Sequence, residues 1–528
     1  MSTKTIFKQE AREKLLKGIN TIADVVATTL GPKGLNVSIA KTDQSGNIYS
    51  AVVIHDGINC AKSVVPEDPF ENMGATLIRE ASSKTNDIAS DGTSTSMVLA
   101  RAVVNKGMQY VSSGYNPMII KKGLDKGLTF IISELDKLKK EIKPDDKESI
   151  SQIATISADS KEIGELVADS IIKIGQDGLL TAEESKGKGI EVKETSGMEF
   201  DQGFLSSYFL LPESTEVNIQ HPYVVITDKK LNSVQEILPF LQKLRPLSKE
   251  FVIIADEVDG DALTVLAVNK MQGNFDCVAV KAPGFGDRKK GILEDIAVLT
   301  GGKVISDKLD DLKTIDPEEY CGHCDSVIST KDSTKILGGK GENIEARIKT
   351  LKKEIETAND YDKDLLKERI AKLSGGAIVL QVGGVTEVEM RDKLERVKDA
   401  IGSTKAAIEE GILPGGGVAL LRISKLLDQV ETSNEEEQIG IKILKFALEQ
   451  PILTLIKNSG EDSSILLRVL DSPADYGFDA VTGEVCSMLD RGIIDAVKVT
   501  KSAITNAVSV GEMILTTDVL ITDIPDKK

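Results

Sequence analysis

At 528 residues the chain is too long for a single hydrophobic core and divides into about three domains. Its 41% hydrophobic and 28% charged content excludes a disordered chain, and no apolar run comes near the roughly 18 residues that cross a bilayer. A net charge of -18, no Trp and only 4% aromatic residues argue against a nucleic-acid partner, which needs Lys and Arg to neutralise phosphates and rings to stack on bases.

Residues 1–16 lack the apolar stretch of a secretory signal, and Glu10 and Glu13 argue against a cleavable transit peptide. A cytoplasmic location is expected, although a mature organelle protein without its presequence would read the same way. Leu15, Leu16, Ile19, Ile22, Ala23, Val26, Ala27 and Leu30 recur at helical spacing, and Gly31-Pro32 ends that helix. Residues 37–40 and 49–54 read as strands of a hairpin around Gly46-Asn47. Helices are predicted over about 72–86, 93–112 and 117–140.

The pattern changes after Pro144. Between about Gly197 and Gly376 short β-rich runs at 223–227, 251–255 and 277–280 alternate with helices, which argues for an α/β domain. Residues 343–373 form a charged helical hairpin whose dense Lys and Glu mark a solvated face. Helix dominates again from Glu387 onward. Gly197 and Gly375-Gly376 bracket the α/β section, while Pro144 and Gly411 bracket a larger one around it. The simplest topology is nested: one domain from both chain ends, a two-segment connecting domain, and a continuous domain inserted at the middle. The glycines and prolines at the crossings are either hinges or ordinary turns.

The chemistry concentrates in Asp91-Gly92-Thr93-Ser94-Thr95, a hydroxyl-rich turn opening into an apolar helix. Free N–H groups at a helix start attract phosphate, and Thr and Ser add donors. A carboxylate beside phosphate oxygens is repulsive unless a cation lies between, so the cluster reads as a site for phosphate with Mg²⁺. An ordinary helix capped by Asp or Thr is the plainer alternative. Leu30-Gly31-Pro32-Lys33-Gly34 is a second loop able to lay N–H groups and a Lys against phosphate. Asp56-Gly57 puts a carboxylate on a tight turn after a strand, and Gly415-Gly416-Gly417 opens another helix. No G-x-x-x-x-G-K-[ST] pattern is present, which disfavours a P-loop ATPase. Asp399 lies about 200° around its helix from Val397 in the stripe Leu394, Val397, Ile401 and Ile408, so it faces either solvent or a cleft.

Taken in order, Leu30 to Gly34, Asp91 to Thr95, Lys281-Ala282-Pro283-Gly284-Phe285-Gly286-Asp287-Arg288, Glu387-Val388-Glu389-Met390 and the run from Ala406 to Gly417 resemble the group I chaperonins, the Hsp60/GroEL family. The likeness extends from about residue 6 to residue 524. It implies a multidomain α and α/β chaperonin fold. A mostly helical equatorial ATPase domain would take 1–140 and 411–528, a small intermediate hinge domain 141–196 and 377–410, and an inserted α/β apical domain 197–376. It also implies an ATPase using ATP, Mg²⁺ and K⁺, a homo-oligomer of seven-membered rings (one or two), a small lid co-chaperonin, and non-native polypeptides as clients.

Carried over by position, Leu30, Gly31, Pro32, Asp91, Gly92, Thr93, Ser94, Thr95, Gly416, Asp479, Ala480 and Asp495 would bind the nucleotide, with Asp91 holding Mg²⁺. Asp399 would orient and activate the attacking water, and Asp56 would sit beside it. Clients would meet Phe204, Tyr208, Phe209, Leu238, Leu241, Leu263, Ala267 and Val268; Leu238 with Leu241, and Leu263 with Ala267, have the spacing of shared helix faces. Such stripes are core in an ordinary protein, and only the resemblance makes them a rim.

The chain departs from the family pattern at His55, where a lysine is usual, at Ser90 and Ser94, which replace Gly and Thr, and at Leu453, where a basic residue often supports contact between rings. The terminal Asp526-Lys527-Lys528 stands without Gly-Gly-Met repeats. Two other function classes compete. Cys321-Gly322-His323-Cys324 has the spacing of a disulfide isomerase motif, although it precedes a strand instead of opening a helix; a metal pair or two inert thiols are the alternatives. An odd set of five cysteines otherwise reads as reduced thiols. A ring that holds clients without cycling is the third reading, opposed by the intact Asp56, Asp91 and Asp399.

Overall fold

The computed structural model describes residues 2–42, 48–55, 57–175, 178–211, 214–284, 286–306, 312–357, 360–374 and 376–524. The readings at Gly46-Asn47, Asp56, Phe285, Gly375 and Asp526-Lys527-Lys528 lie outside the described residues. The chain separates into two units, one of Met1–Asp169, Glu184–Gly189 and Val382–Lys528, the other of Ser170–Glu183 and Ile190–Gln381.

Helices Lys8–Ala27, Pro69–Ala89, Thr93–Ser112, Pro117–Leu138, Glu435–Asn458 and Val497–Leu515 build the first unit. Their apolar stripes interlock around Leu15, Ile19, Ile22, Met97, Leu99, Leu124, Leu444 and Ile504. Burying stripes of this kind is the main source of helix stability in a folded chain. The chain ends are tied together: strands Ser2–Phe7 and Val519–Ile524 pair antiparallel, with Thr3 opposite Asp523 and Phe7 opposite Val519. The 37–40 and 49–54 readings correspond to strands Val37–Thr42 and Ile48–Ile54, which pair antiparallel.

Helix starts in this unit follow local chemistry. Asp68 accepts hydrogen bonds from the N–H groups of Phe70 and Glu71 at the head of Pro69–Ala89, whose first residue is proline. Asn116, Asp146, Thr386 and Asn434 likewise cap Pro117–Leu138, Lys147–Ala158, Glu387–Glu410 and Glu435–Asn458. Each such cap satisfies donors that the helix leaves open, worth about 1 kcal/mol.

The second unit holds a parallel sheet ordered Asp276–Lys281, Glu250–Ala255, Tyr223–Thr227 and Val304–Ile305, with Gly322–His323 antiparallel to Tyr223–Thr227. Helices Val234–Leu244, Gly260–Met271 and Gly286–Thr300 make the crossovers. The strands are almost wholly buried, as expected when both sheet faces are covered. An antiparallel sheet of Gly197–Phe200, Thr334–Leu337, Ser326–Ser329 and Val217–Gln220 adjoins them in the same unit. The charged hairpin is helices Ile344–Thr357 and Asp360–Ser374. It is not solvated all round: Leu351 enters the core, and Arg347 and Arg369 both donate to the buried Asp295, at 2.8 Å from Arg347 Nε and 2.6 Å from Arg369 Nε.

Candidate nucleotide site

The Asp91 turn joins two helices of the first unit. Pro69–Ala89 ends on Ser90, held in the left-handed region at φ 53°, and Thr93–Ser112 starts from Gly92 at φ 78°. Gly92 is required twice: L side chains avoid that conformation, and a Cβ there would stand 2.7 Å from Val499 Cγ1. The capped-helix alternative does not hold, because Gly92 occupies the N-cap and no side chain caps this helix. Asp91 turns elsewhere. Its Oδ1 accepts from the Gly92 N–H at 2.5 Å, and its Oδ2 accepts from the hydroxyls of Ser157 at 2.9 Å and Ser403 at 2.5 Å.

A cavity of about 600 Å³ opens over this turn. That is the size of a site for a ligand such as a nucleotide. Its wall brings together Leu30, Gly31, Pro32, Asp91, Gly92, Thr93, Ser94, Thr95, Asp399, Gly416, Asp479, Ala480 and Asp495, from parts of the chain far apart in sequence. His55 and Gly57 also line it, while Asp56 between them lies outside the described residues. Lys33 does not line the cavity and is exposed, so the expected lysine contact in the Gly31 to Gly34 loop is not made there. That loop is pinned instead by Asn458, whose Nδ2 donates to the carbonyls of Ala27 at 2.8 Å and Leu30 at 2.9 Å.

A second helix, Val418–Leu426, points its start at the same cavity. Its N-cap is Gly417 at φ 76°, again without a side-chain cap. Two sets of helix N–H groups are therefore open toward one space, the arrangement that attracts phosphate. Asp479 is buried and accepts from the N–H groups of Val481 at 2.9 Å and Thr482 at 3.3 Å, which fixes the turn carrying Ala480. Desolvation, and then the nearby Asp91 carboxylate, pushes the Asp495 carboxyl up to about 7. Two acids facing each other beside open N–H groups are electrostatically balanced by a cation shared with an anion. Asp399 reaches the wall from helix Glu387–Glu410, whose Leu394, Val397 and Ile401 are buried on the other side, so the cleft-facing alternative is the observed one.

A family model of the TCP-1/cpn60 chaperonins matches residues 22–525. The chain belongs to the TCP-1/cpn60 chaperonin family. Chaperonin gp146 from the bacteriophage EL 2 (Pseudomonas aeruginosa), crystallised in the presence of ATP-BeFx, is similar in fold. Crystal form II aligns at a TM-score of 0.67 with 19% identity, over 99% of each chain. Crystal form I aligns at 0.62 with 18% identity, again over 99% of each chain. This chain thus has the multidomain α and α/β chaperonin fold, and the family membership assigns it a chaperone role.

In the second unit of this chaperonin the client positions divide. Phe209 is fully buried, and Leu241 and Ala267 are 3% and 5% exposed, packed into the domain core. Tyr208 is 65% exposed, and Leu238 and Val268 are both 42% exposed. Phe204 and Leu263 are half-buried against the core. Leu238 and Leu241 stand about 60° apart on helix Val234–Leu244, as their spacing predicts, but they straddle the edge between its exposed and buried sides, at 42% and 3% exposure.

At the Cys321 motif the inert-thiol alternative is the observed one. Cys321 and Cys324 are buried, and desolvation pushes both thiols up to about 12, the opposite of an activated thiol. The motif follows the short helix Pro317–Tyr320, and His323 packs edge-on against Tyr223 with ring centroids 4.4 Å apart. No group of three or more His, Cys, Asp or Glu able to hold a metal occurs among the described residues.

Ser157 and Ser403 are among the site residues that escaped the sequence reading. Their only sequence signal is the position of Ser403 one helical turn after Asp399.

Proposed function

We propose that this chaperonin is an ATP-driven folding machine of the group I type. The observation that carries the proposal is the convergence of two uncapped helix starts, Asp91 and Asp399 on one cavity of nucleotide size. In this reading the N–H groups and hydroxyls at Thr93, Ser94 and Thr95 hold phosphate oxygens. Leu30, Gly31 and Pro32 flank the phosphates, and Gly416, Asp479, Ala480 and Asp495 contact adenine and ribose. Asp91 holds Mg²⁺ jointly with phosphate, and the ion, when bound, offsets phosphate charge so that an incoming oxygen is not repelled. Asp399 accepts a hydrogen bond from the attacking water at its carboxylate and orients it, with Asp56 alongside. K⁺ is the further ion proposed.

The same proposal includes the equatorial, intermediate and apical divisions given above, a ring of seven subunits in one or two layers, a small lid partner and a cytoplasmic location. Clients would be caught by the exposed part of the apical set, Tyr208, Leu238 and Val268, with Phe204 and Leu263 at its margin. Exposed apolar side chains on neighbouring helices suit a partner with no fixed sequence. Asp399 at the cavity wall supports cycling over passive holding.

The test is steady-state ATP hydrolysis with Mg²⁺, together with electron microscopy of the purified protein with ATP. Rings that turn over ATP are expected. A lone subunit with neither binding nor hydrolysis would overturn the reading.

A further inference from the structure

Asp399 and Ser403 are four residues apart on helix Glu387–Glu410, so they share a face one turn apart. Both line the cavity. Ser403 is buried, and its Oγ donates to Asp91 Oδ2 at 2.5 Å. Ser157, on helix Lys147–Ala158, donates to the same oxygen at 2.9 Å, and the two hydroxyl oxygens are 3.0 Å apart. With both hydroxyls donating to Asp91 Oδ2, the single proton of each is committed there. Oδ2 then has both lone-pair directions filled. Oδ1 keeps one beyond its bond to the Gly92 N–H, and it is the oxygen left for a cation.

The backbone is shaped for this contact. Gly402 immediately precedes Ser403, and a Cβ on it would stand 2.2 Å from Ser90 Cβ. The absent side chain lets the helix come down on the turn that carries Asp91. Two separate features, the pair of hydroxyl donors and the glycine contact, therefore bring the Asp399 helix to the same place.

We infer that Ser403 is a positioning residue: its hydrogen bond to Asp91 sets the Asp399 helix in register with the carboxylate proposed to hold the cation, and Ser157 completes the clasp. This rests on the nucleotide reading of the same cavity. Ser403 acts on turnover through Asp399, because its hydroxyl takes Asp91 Oδ2 and leaves Oδ1 as the oxygen that would hold a cation. Nucleotide affinity is held without the Ser403 hydroxyl because the Gly92 N–H and Ser157 still fix Asp91 on the Thr93 turn, and the Gly31 and Asp479 turns have hydrogen bonds of their own.

The test is Ser403→Ala in the full chain, read three ways. Amide hydrogen exchange of residues 397–404 in the nucleotide-free protein is expected to quicken about fivefold as the clasp opens. Affinity for magnesium ADP by calorimetry is expected to stay within about threefold, while kcat for ATP falls about tenfold. Unchanged exchange together with unchanged kcat would overturn the inference. So would affinity and kcat falling together by the same factor, since Ser403 would then only support the cation site. Ser157→Ala is expected to lower kcat about threefold with affinity held; if Ser403→Ala does not fold, an unchanged kcat in Ser157→Ala overturns the inference. Wild-type protein that binds no magnesium ADP would instead sink the nucleotide reading, and the exchange measurement would still decide the clasp.

Discussion

Asp91-Gly92-Thr93-Ser94-Thr95 and Cys321-Gly322-His323-Cys324 are both short, glycine-containing runs of reactive side chains, and the fold treats them in opposite ways. The first is left at a cavity wall with its helix start uncapped and its carboxylate engaged by hydroxyls from two other helices. The second is sealed in the core of the α/β unit, where its thiols lose solvent and the Lys340 charge near Cys324 does not offset that loss. Burial raises the pKa of the thiols and of Asp495 alike, but Asp495 stands at a cavity that a cation can enter, and the thiols do not. Motif chemistry is thus decided by what the surrounding elements leave open.

The largest effect that separates the two motifs is thiol reactivity. A free thiol near its ordinary pKa is partly thiolate at pH 8, but one at about 12 is thiolate only to about one part in ten thousand. Iodoacetamide at pH 8 is expected to label native Cys321, Cys324 and Cys277 about a thousandfold more slowly than the unfolded chain, with the half-exposed Cys486 reacting first. Because the folded thiols hold their protons more tightly than unfolded ones, their contribution to stability is complete below about pH 8.5 and lost as pH rises toward 12. Mass spectrometry of timed samples checks this; rapid labelling of Cys321 and Cys324 at pH 8 would return them to the redox class.

The next effect tests the other half of the contrast. Asp399→Ala is expected to keep ATP binding and lose turnover at least a hundredfold, the scale of removing a positioned acid–base group. Binding by calorimetry and steady-state hydrolysis measure the two separately. Turnover like that of the wild type would mean that the cavity carboxylate is as idle as the buried thiols.

Periodic segments were legible in advance because one-sided apolar spacing specifies helix or strand wherever a core takes that side. Helix 93–112 and strand 223–227 coincide with Thr93–Ser112 and Tyr223–Thr227. The gathering of Leu30, Asp91, Asp399 and Asp479 was available only through family resemblance, since nothing local in sequence links them. Ser403 was barely legible: its partner Asp91 is 312 residues away, and its one signal is its place a helical turn after Asp399. Phe209, Leu241 and Ala267 were placed on the rim by resemblance alone; their apolar character by itself reads as core, and in this fold they are buried.

The smallest effect concerns how the cavity turn is held. Ser90 caps helix Pro69–Ala89 in the left-handed region, φ 53° and ψ 17°, with its N–H donating to Asn86 O at 2.8 Å. The resemblance places glycine here. A Cβ in that conformation costs about 1–2 kcal/mol, and glycine removes the cost while adding about 0.4–1 kcal/mol of unfolded-chain entropy. Ser90→Gly is therefore expected to stabilise the fold by about 0–1.6 kcal/mol, seen as a higher urea midpoint. The side chain also meets the helix at Gly402, so its removal loosens the approach that brings Ser403 to Asp91. Stability up with turnover down would mean that this serine trades strain for register; both rising would mean that Ser90 contributes nothing to seating the helix.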